Sequence, residues 1–144
     1  MKIETSITIE PALPDFAAAA RLGIAQAATD IHRRAVESIQ SGKKSGRVYD
    51  HYFVTIKGRA VPIRARSSSH QASAPGEAPA SDSGALVASI SMDIEAGGLA
   101  AEIGTGRDYG LYLEEDMDRP WLKPAADQNT VVDAFVRAFQ RRAG

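Results

Sequence analysis

Ile3, Thr5, Ile7 and Ile9 alternate with Glu4, Ser6, Thr8 and Glu10, the two-residue period of a strand with one buried face. Pro11 and Pro14 end that run. From Asp15 the period changes: Phe16, Ala20, Ile24, Ala27, Ala28, Ile31, Ala35 and Ile39 recur every three or four positions, and Arg21, Asp30, Arg33, Arg34 and Glu37 fill the rest of the wheel. This predicts one amphipathic helix of roughly 40 Å at 1.5 Å per residue. Asp15 is placed to cap its start, and Gly42 to end it in a left-handed turn.

Beyond the basic, glycine-bounded SGKKSG, Tyr52, Val54 and Ile56 are followed by Lys57-Gly58 and by Val61 and Ile63, so the stretch Tyr49 to Ala65 reads as a hairpin. Pro62 assigns its second arm to a sheet edge. A second hairpin is clearer. Leu86, Ala88, Ile90, Met92 and Ile94 alternate and are answered by Leu99, Ala101 and Ile103 across Ala96-Gly97-Gly98, although Leu86 to Ser89 equally suits a helical turn. A short helix is expected at Tyr109 to Glu115. After the extended Arg119-Pro120-Trp121-Leu122-Lys123-Pro124, a last helix is expected, capped by Thr130 and with the stripe Val132, Phe135, Val136 and Phe139. The class is α+β: a mainly antiparallel sheet with one long N-terminal helix, a short helix and a C-terminal helix.

Between the hairpins lies an extended loop at about residues 66–84, whose core, HQASAPGEAPASDSG, has no apolar side chain larger than alanine. Structureless connections of more than about 12 to 15 residues are functional or disordered. Ala74-Pro75 and Ala78-Pro79 favour extended geometry, and small side chains let backbones approach closely. The stretch therefore reads as an assembly element that orders against a neighbour, or as a mobile surface linker. With so little area to bury, it should be mobile in an isolated subunit.

Composition adds limits. The 144 residues suit one domain able to hold a real core. With no cysteine, disulfides, iron–sulfur clusters and thiol nucleophiles are excluded. No secretory h-region is expected at the amino terminus, and the alanine-rich window Phe16 to Ala28 is too short and too interrupted to span a bilayer. The net charge of -1 conceals segregation. Residues 33–66 carry nine basic and two acidic side chains, and residues 67–144 six basic and twelve acidic. Opposite charge on separate segments suits head-to-tail contact between subunits or a polyanionic partner; two solvated surfaces are the plainer reading.

Candidate chemistry is thin. Gly104 to Gly110, GTGRDYG, has the wrong glycine spacing for a dinucleotide fingerprint and no βαβ context. SGKKSG lacks the leading glycine and the hydroxyl of a phosphate loop, and Ser41-Gly42-Lys43-Lys44 lacks the companion motifs of an acyl-enzyme site. His32, His51 and His70 show no zinc-ligand spacing. Glu114, Glu115, Asp116 and Asp118 lack the geometry of a cation loop and read as a solvated helix end or a docking patch. No catalytic, cofactor or metal residue is nominated. Arg47, Tyr49, Tyr52, Phe53, Lys57 and Arg59 interleave cations with aromatics as a single-strand nucleic-acid platform would.

In order, SGRVY (Ser45 to Tyr49), HQASAPGEAPASDSGALVASI (His70 to Ile90), GTGRDYGLYLEE (Gly104 to Glu115) and RPWLKPA (Arg119 to Ala125) resemble the tail-component family of long-tailed double-stranded DNA bacteriophages. The resemblance implies a non-enzymatic virion protein of the neck. It would be a tail-completion subunit forming a ring, a hexamer, that leaves a passage for DNA. Tail terminator and head-closure protein are neighbouring stations. Implied partners are further copies, the head–tail connector and the tail-tube or terminator proteins, with non-specific proximity to packaged DNA. No cofactor and no membrane is implied. The implied location is the virion, and the host cytoplasm during assembly. One departure stands out: the family pattern continues Leu-Glu with an aromatic and Gly-Thr, whereas here Leu113-Glu114 runs into Glu115-Asp116-Met117. Together with the charge pattern, the resemblance nominates His70, Ala74, Pro75, Pro79, Arg47, Arg59, Arg64, Glu114, Glu115 and Asp116 as a subunit interface. Trp121 is nominated as a packing anchor, with an interface anchor as the alternative.

Overall fold

In the computed structural model, residues 3–8 and 14–143 are described, and Ile9, Glu10, Pro11 and the Asp15 side chain, with the strand end and helix cap expected of them, lie outside that set. The elements run β1 (Ile3–Thr8), α1 (Pro14–Ser41), β2 (Val48–Ile56), β3 (Arg59–Gln71), α2 (Ala85–Ser89), β4 (Ile90–Ile94), β5 (Ala100–Thr105), α3 (Asp108–Glu115) and α4 (Gln128–Ala143). The class is α+β, with every strand pair antiparallel. The strands form two sheets rather than one: β1-β5-β4, and β2-β3 apart from it.

The alternation of β1 is used directly. Ile3, Thr5 and Ile7 stand opposite Thr105, Ile103 and Ala101 of β5, which in turn oppose Ile90, Met92 and Ile94 of β4. That row faces α1, whose Ile24, Ala28, Ile31, Ala35 and Ile39 complete the core with Leu86, Trp121 and Leu122. The other face of the sheet carries Glu4, Ser6, Ser91, Asp93 and Glu102, all exposed. Leu86 to Ser89 takes the helical option.

α1 is buried on two sides, because α4 packs along it more extensively than any strand does. The contact is made of small residues. Ala19, Ala27, Ala134 and Ala138 are fully buried. At Gly23 a Cβ would come within 2.4 Å of the Phe135 ring, so that aromatic closes directly over the helix backbone. The inward face of α4 therefore includes Ala134, Phe135 and Ala138, and the expected stripe is corrected: Val132 and Val136 are exposed. Phe139 stacks at 5.8 Å on both Phe135 and Phe16. Two expected helix ends also differ. The oxygen of Asp127, not Thr130, caps α4, accepting from both Thr130 N and Thr130 Oγ1. Gly42 is not left-handed; glycine is needed there because a Cβ would lie 2.3 Å from the Ser38 carbonyl oxygen. No helix among the described residues is long and apolar enough to cross a membrane.

The irregular run between α3 and α4 is held from inside. Glu114, buried, accepts three consecutive backbone amides: Trp121 N (2.8 Å) and Leu122 N (3.0 Å) on Oε2, and Lys123 N (2.9 Å) on Oε1. Trp121, fully buried, donates its indole N–H to the Gly110 carbonyl at 3.1 Å. Glu114 is thus withdrawn from the expected interface, since its carboxyl replaces the strand or helix partners this backbone lacks. Trp121→Ala should cost about 3–5 kcal/mol of unfolding free energy. Glu114→Ala, which strands three donors, should cost at least about 3 kcal/mol. Urea denaturation of both variants against the parent checks these values.

Candidate functional site

The most conspicuous surface is built from β2 and β3. Their turn is closed by Lys57 (φ 50°) and Gly58 (φ 76°), two successive residues with positive φ, as a type I′ hairpin turn requires. Beyond its base the ribbon is left bare, because no other helix or strand among the described residues packs on it extensively. Its large side chains stay in water: Val48, Ile56 and Ile63 keep 56, 53 and 57% of their surface exposed, and Phe53, Val54 and Val61 are exposed too.

Both faces of this arm are apolar and aromatic. Tyr52, Val54 and Ile56 lie opposite Arg64, Val61 and Arg59 on one face, while Tyr49, His51 and Phe53 lie opposite His70, Ala65 and Pro62 on the other. Register irregularities fall between Tyr49 and His51 and between Tyr52 and Phe53. Cations ride on the aromatics. The Arg47 guanidinium lies 5.1 Å from the Tyr49 ring centroid, and those of Arg64 and Arg66 lie 4.6 and 4.4 Å from that of Tyr52. Arg66 is ion-paired with Asp82, which raises the guanidinium's pKa and holds the carboxyl below its usual range. Lys57, Arg59 and Arg64 have no carboxylate partner among the described residues, and Arg47 forms no ion pair but helps to lower the pKa of Asp50 through its charge.

At the base of the arm a groove of ≈ 490 Å³ is lined by Arg47, Tyr49, His70, Ala74, Pro75, Pro79, Met117 and Arg119, among others. The structure therefore brings together five of the nominated interface residues: Arg47, His70, Ala74, Pro75 and Pro79. Arg59 and Arg64 sit farther out on the arm. Of the expected acidic patch, Glu114 is buried and Glu115 is ion-paired with Lys123 at the end of α3, while Asp116, which follows the helix, and Asp118 are exposed.

The long loop differs from its expectation. β3 continues through Gln71, which leaves residues 72–84 as the connection, and these are tied down within the single chain. Glu77 accepts from Ala74 N (2.9 Å), Ser45 N (2.9 Å) and Ser45 Oγ, and Gly76 N donates to the Asp118 carbonyl at 2.7 Å. Lys44 Nζ donates to Ala78 O (2.9 Å) and to Ser38 O (3.0 Å) in the last turn of α1. Partial burial lowers the pKa of that lysine. Ser73 and Pro79 are buried. Glu77, Lys44 and Asp82 were missed as anchors. The available signal was that Glu77 and Asp82 are the only charged side chains in a run of alanine, serine and proline.

Among the described residues no group of three or more His, Cys, Asp or Glu side chains is placed to hold a metal ion. No family model, curated protein or solved structure matches the chain.

The hydrogen bonds to Glu77, that from Ala74 N first, depress its pKa from 4.5 to about 2. Because the folded value is the lower one, this anchor's contribution is fully present above the ordinary carboxyl pKa and is lost as pH falls through about 2. In an amide NMR titration, Ser45 and Ala74 should therefore shift together with a midpoint well below 4.5. A midpoint at the ordinary value would refute the anchor.

Proposed function

We propose that this chain is a structural protein of the head–tail junction of a long-tailed double-stranded DNA bacteriophage. It is a tail-completion or neck subunit that assembles as a ring, sixfold by the family resemblance, around the passage for DNA. Tail terminator and head-closure protein are the adjacent stations. Its partners are copies of itself, the head–tail connector and the tail-tube or terminator proteins, and it performs no catalysis.

The uncovered β2–β3 arm carries this reading. A lone two-stranded ribbon is marginal in water, and contiguous exposed apolar surface marks an interaction site. Here both faces are apolar, so one docking event on one side leaves the other wet. An arm inserted between neighbours resolves this, and a head-to-tail contact repeated about an axis closes a ring. The three cations without carboxylate partners, Lys57, Arg59 and Arg64, fit either an acidic neighbour or proximity to packaged DNA.

The alternation of cations and aromatics favours a second reading, a single-strand nucleic-acid platform. Against it, guanidiniums already lie over Tyr49 and Tyr52, the rings on which bases would stack.

Replacing Val54, Ile56 and Val61 by serine should change monomer stability by no more than about 0.5 kcal/mol per site, because all three are exposed. The same variant should be lost from particles released by a host that encodes it. Mass spectrometry of those particles should find the parent chain at the neck in about six copies, a number the resemblance supplies and a closed ring allows. Absence from particles, a single copy or a twofold pair overturns the reading. Salt-sensitive binding of free oligonucleotides with no self-association would favour the platform instead.

A further inference from the structure

We infer that the surface receiving the arm is the exposed face of α3 in a second copy of this chain. The inference rests on the arm being an assembly element and names where it docks.

The two faces of the arm differ in charge. Val54, Ile56 and Val61 share one face with Arg59 and Arg64, and Lys57 stands at the tip. The opposite face, with Phe53, Thr55, Ala60 and Pro62, carries no charge along that stretch. A surface that receives the charged face must therefore show apolar or aromatic groups and carboxylates side by side, facing the same way.

α3 does so. Tyr109, Tyr112 and Asp116 are spaced three and four residues apart, which puts them on one stripe of a helix, and the two rings keep 41 and 52% of their surface exposed. Asp116 is exposed as well, and the exposed Met117 and Asp118 extend the patch beyond the helix end. The carboxylates of Asp116 and Asp118 form no ion pair among the described residues. Of the cations nearby, Lys123 is held by Glu115, and the Arg119 guanidinium is turned to the carbonyls of Met117 and Asp118. Arg107 stands at the other end of the helix from Asp116.

Other exposed surfaces lack this combination. On β4 the apolar Met92 and Ile94 and the acidic Asp93 alternate onto opposite faces. α4 exposes Val132 and Val136, but with Arg137 and Arg141 against the single acid Asp133. The groove at the base of the arm is bordered by Arg47 and Arg119, which repel the arm's own cations. On α3 the aliphatic side chains of the arm cover the two rings while Arg59 and Arg64 reach the carboxylates. A guanidinium also seats on a tyrosine ring, as Arg47 does on Tyr49 within one copy. Arm and helix face are different surfaces, so the contact is heterologous and propagates around a ring.

Because the chain has no cysteine, single-cysteine probes report contacts without background. Ile56→Cys on the charged face of the arm, mixed with Tyr112→Cys at high protein concentration and oxidised, should give a mixed disulfide dimer, identified by its intact mass. Ile56→Cys mixed with Ser91→Cys on β4, or with Ser41→Cys at the exposed end of α1, should not. Adding Arg59→Glu and Arg64→Glu to the arm partner should cut the yield about tenfold. Asp116→Lys with Asp118→Asn on the other partner should restore it; asparagine suits the positive φ of 49° at that position. Crosslinking to the Ser91 or Ser41 probe as readily as to the Tyr112 probe, or no rescue by the altered charges, overturns this docking site but leaves the assembly reading standing. No contact between copies at any probe position overturns both.

Discussion

Three consecutive amides converge on one carboxyl group. Residues 116–127 form neither helix nor strand, and Glu114 supplies the acceptors that this irregular backbone cannot find in itself. By fixing Trp121 and Leu122 against the end of α3, it seats the indole over Gly110, where a Cβ would collide with the Thr105 side chain at 2.6 Å. Thr105 ends β5, and its buried hydroxyl bonds Ser89 of α2 and accepts from Arg107 N. The position from which α4 starts, and so the lie of α4 on α1, depends on this one connection. An acidic residue in an acidic run is here part of the core.

A second polar assembly works at the root of the arm. Lys44 bridges the last turn of α1 and the loop at Ala78, and Glu77 bridges that loop and Ser45. Asp82 then holds Arg66, whose guanidinium lies over Tyr52. Charge pairing and side chain-to-backbone bonds thus replace the apolar burial that alanine, serine and proline cannot provide. A ribbon bare on both faces gains a fixed base from which to project. Rigid presentation of an exposed surface lowers the ordering cost of binding.

Local periodicity made much of the fold legible. The alternation in β1, the three-to-four spacing of α1, the Lys57-Gly58 turn and the β4–β5 hairpin were all readable, because each is a short-range pattern. The inward face of α4 was not, since helix contacts through Ala134 and Ala138 reward closeness rather than side-chain size. Nor was the separation into two sheets, because nothing in a strand's own sequence names its partner. Of the interface residues, Arg47, His70, Ala74, Pro75 and Pro79 gather in one groove. Glu114 was misassigned because a buried acceptor and a solvated carboxylate look alike in one dimension. The arm read as a hairpin but not as a bare one, since alternation reports a strand and not whether anything covers it.

The register Ile3↔Thr105 has a consequence in time. β1 is synthesised before β5, its strand partner among the described residues, which is made about a hundred residues later. At the usual 5–20 residues per second, that is a wait of about 5–20 s. The β2–β3 ribbon, closed by its own tight turn, forms in about 1–10 μs once synthesised. The arm is therefore in place while the core that will carry it is still incomplete, and the apolar face of α1 stays open through that interval. A nascent chain of this design presents its sticky element before its body has closed. Copies made side by side on one message can meet through unfinished cores as well as through arms.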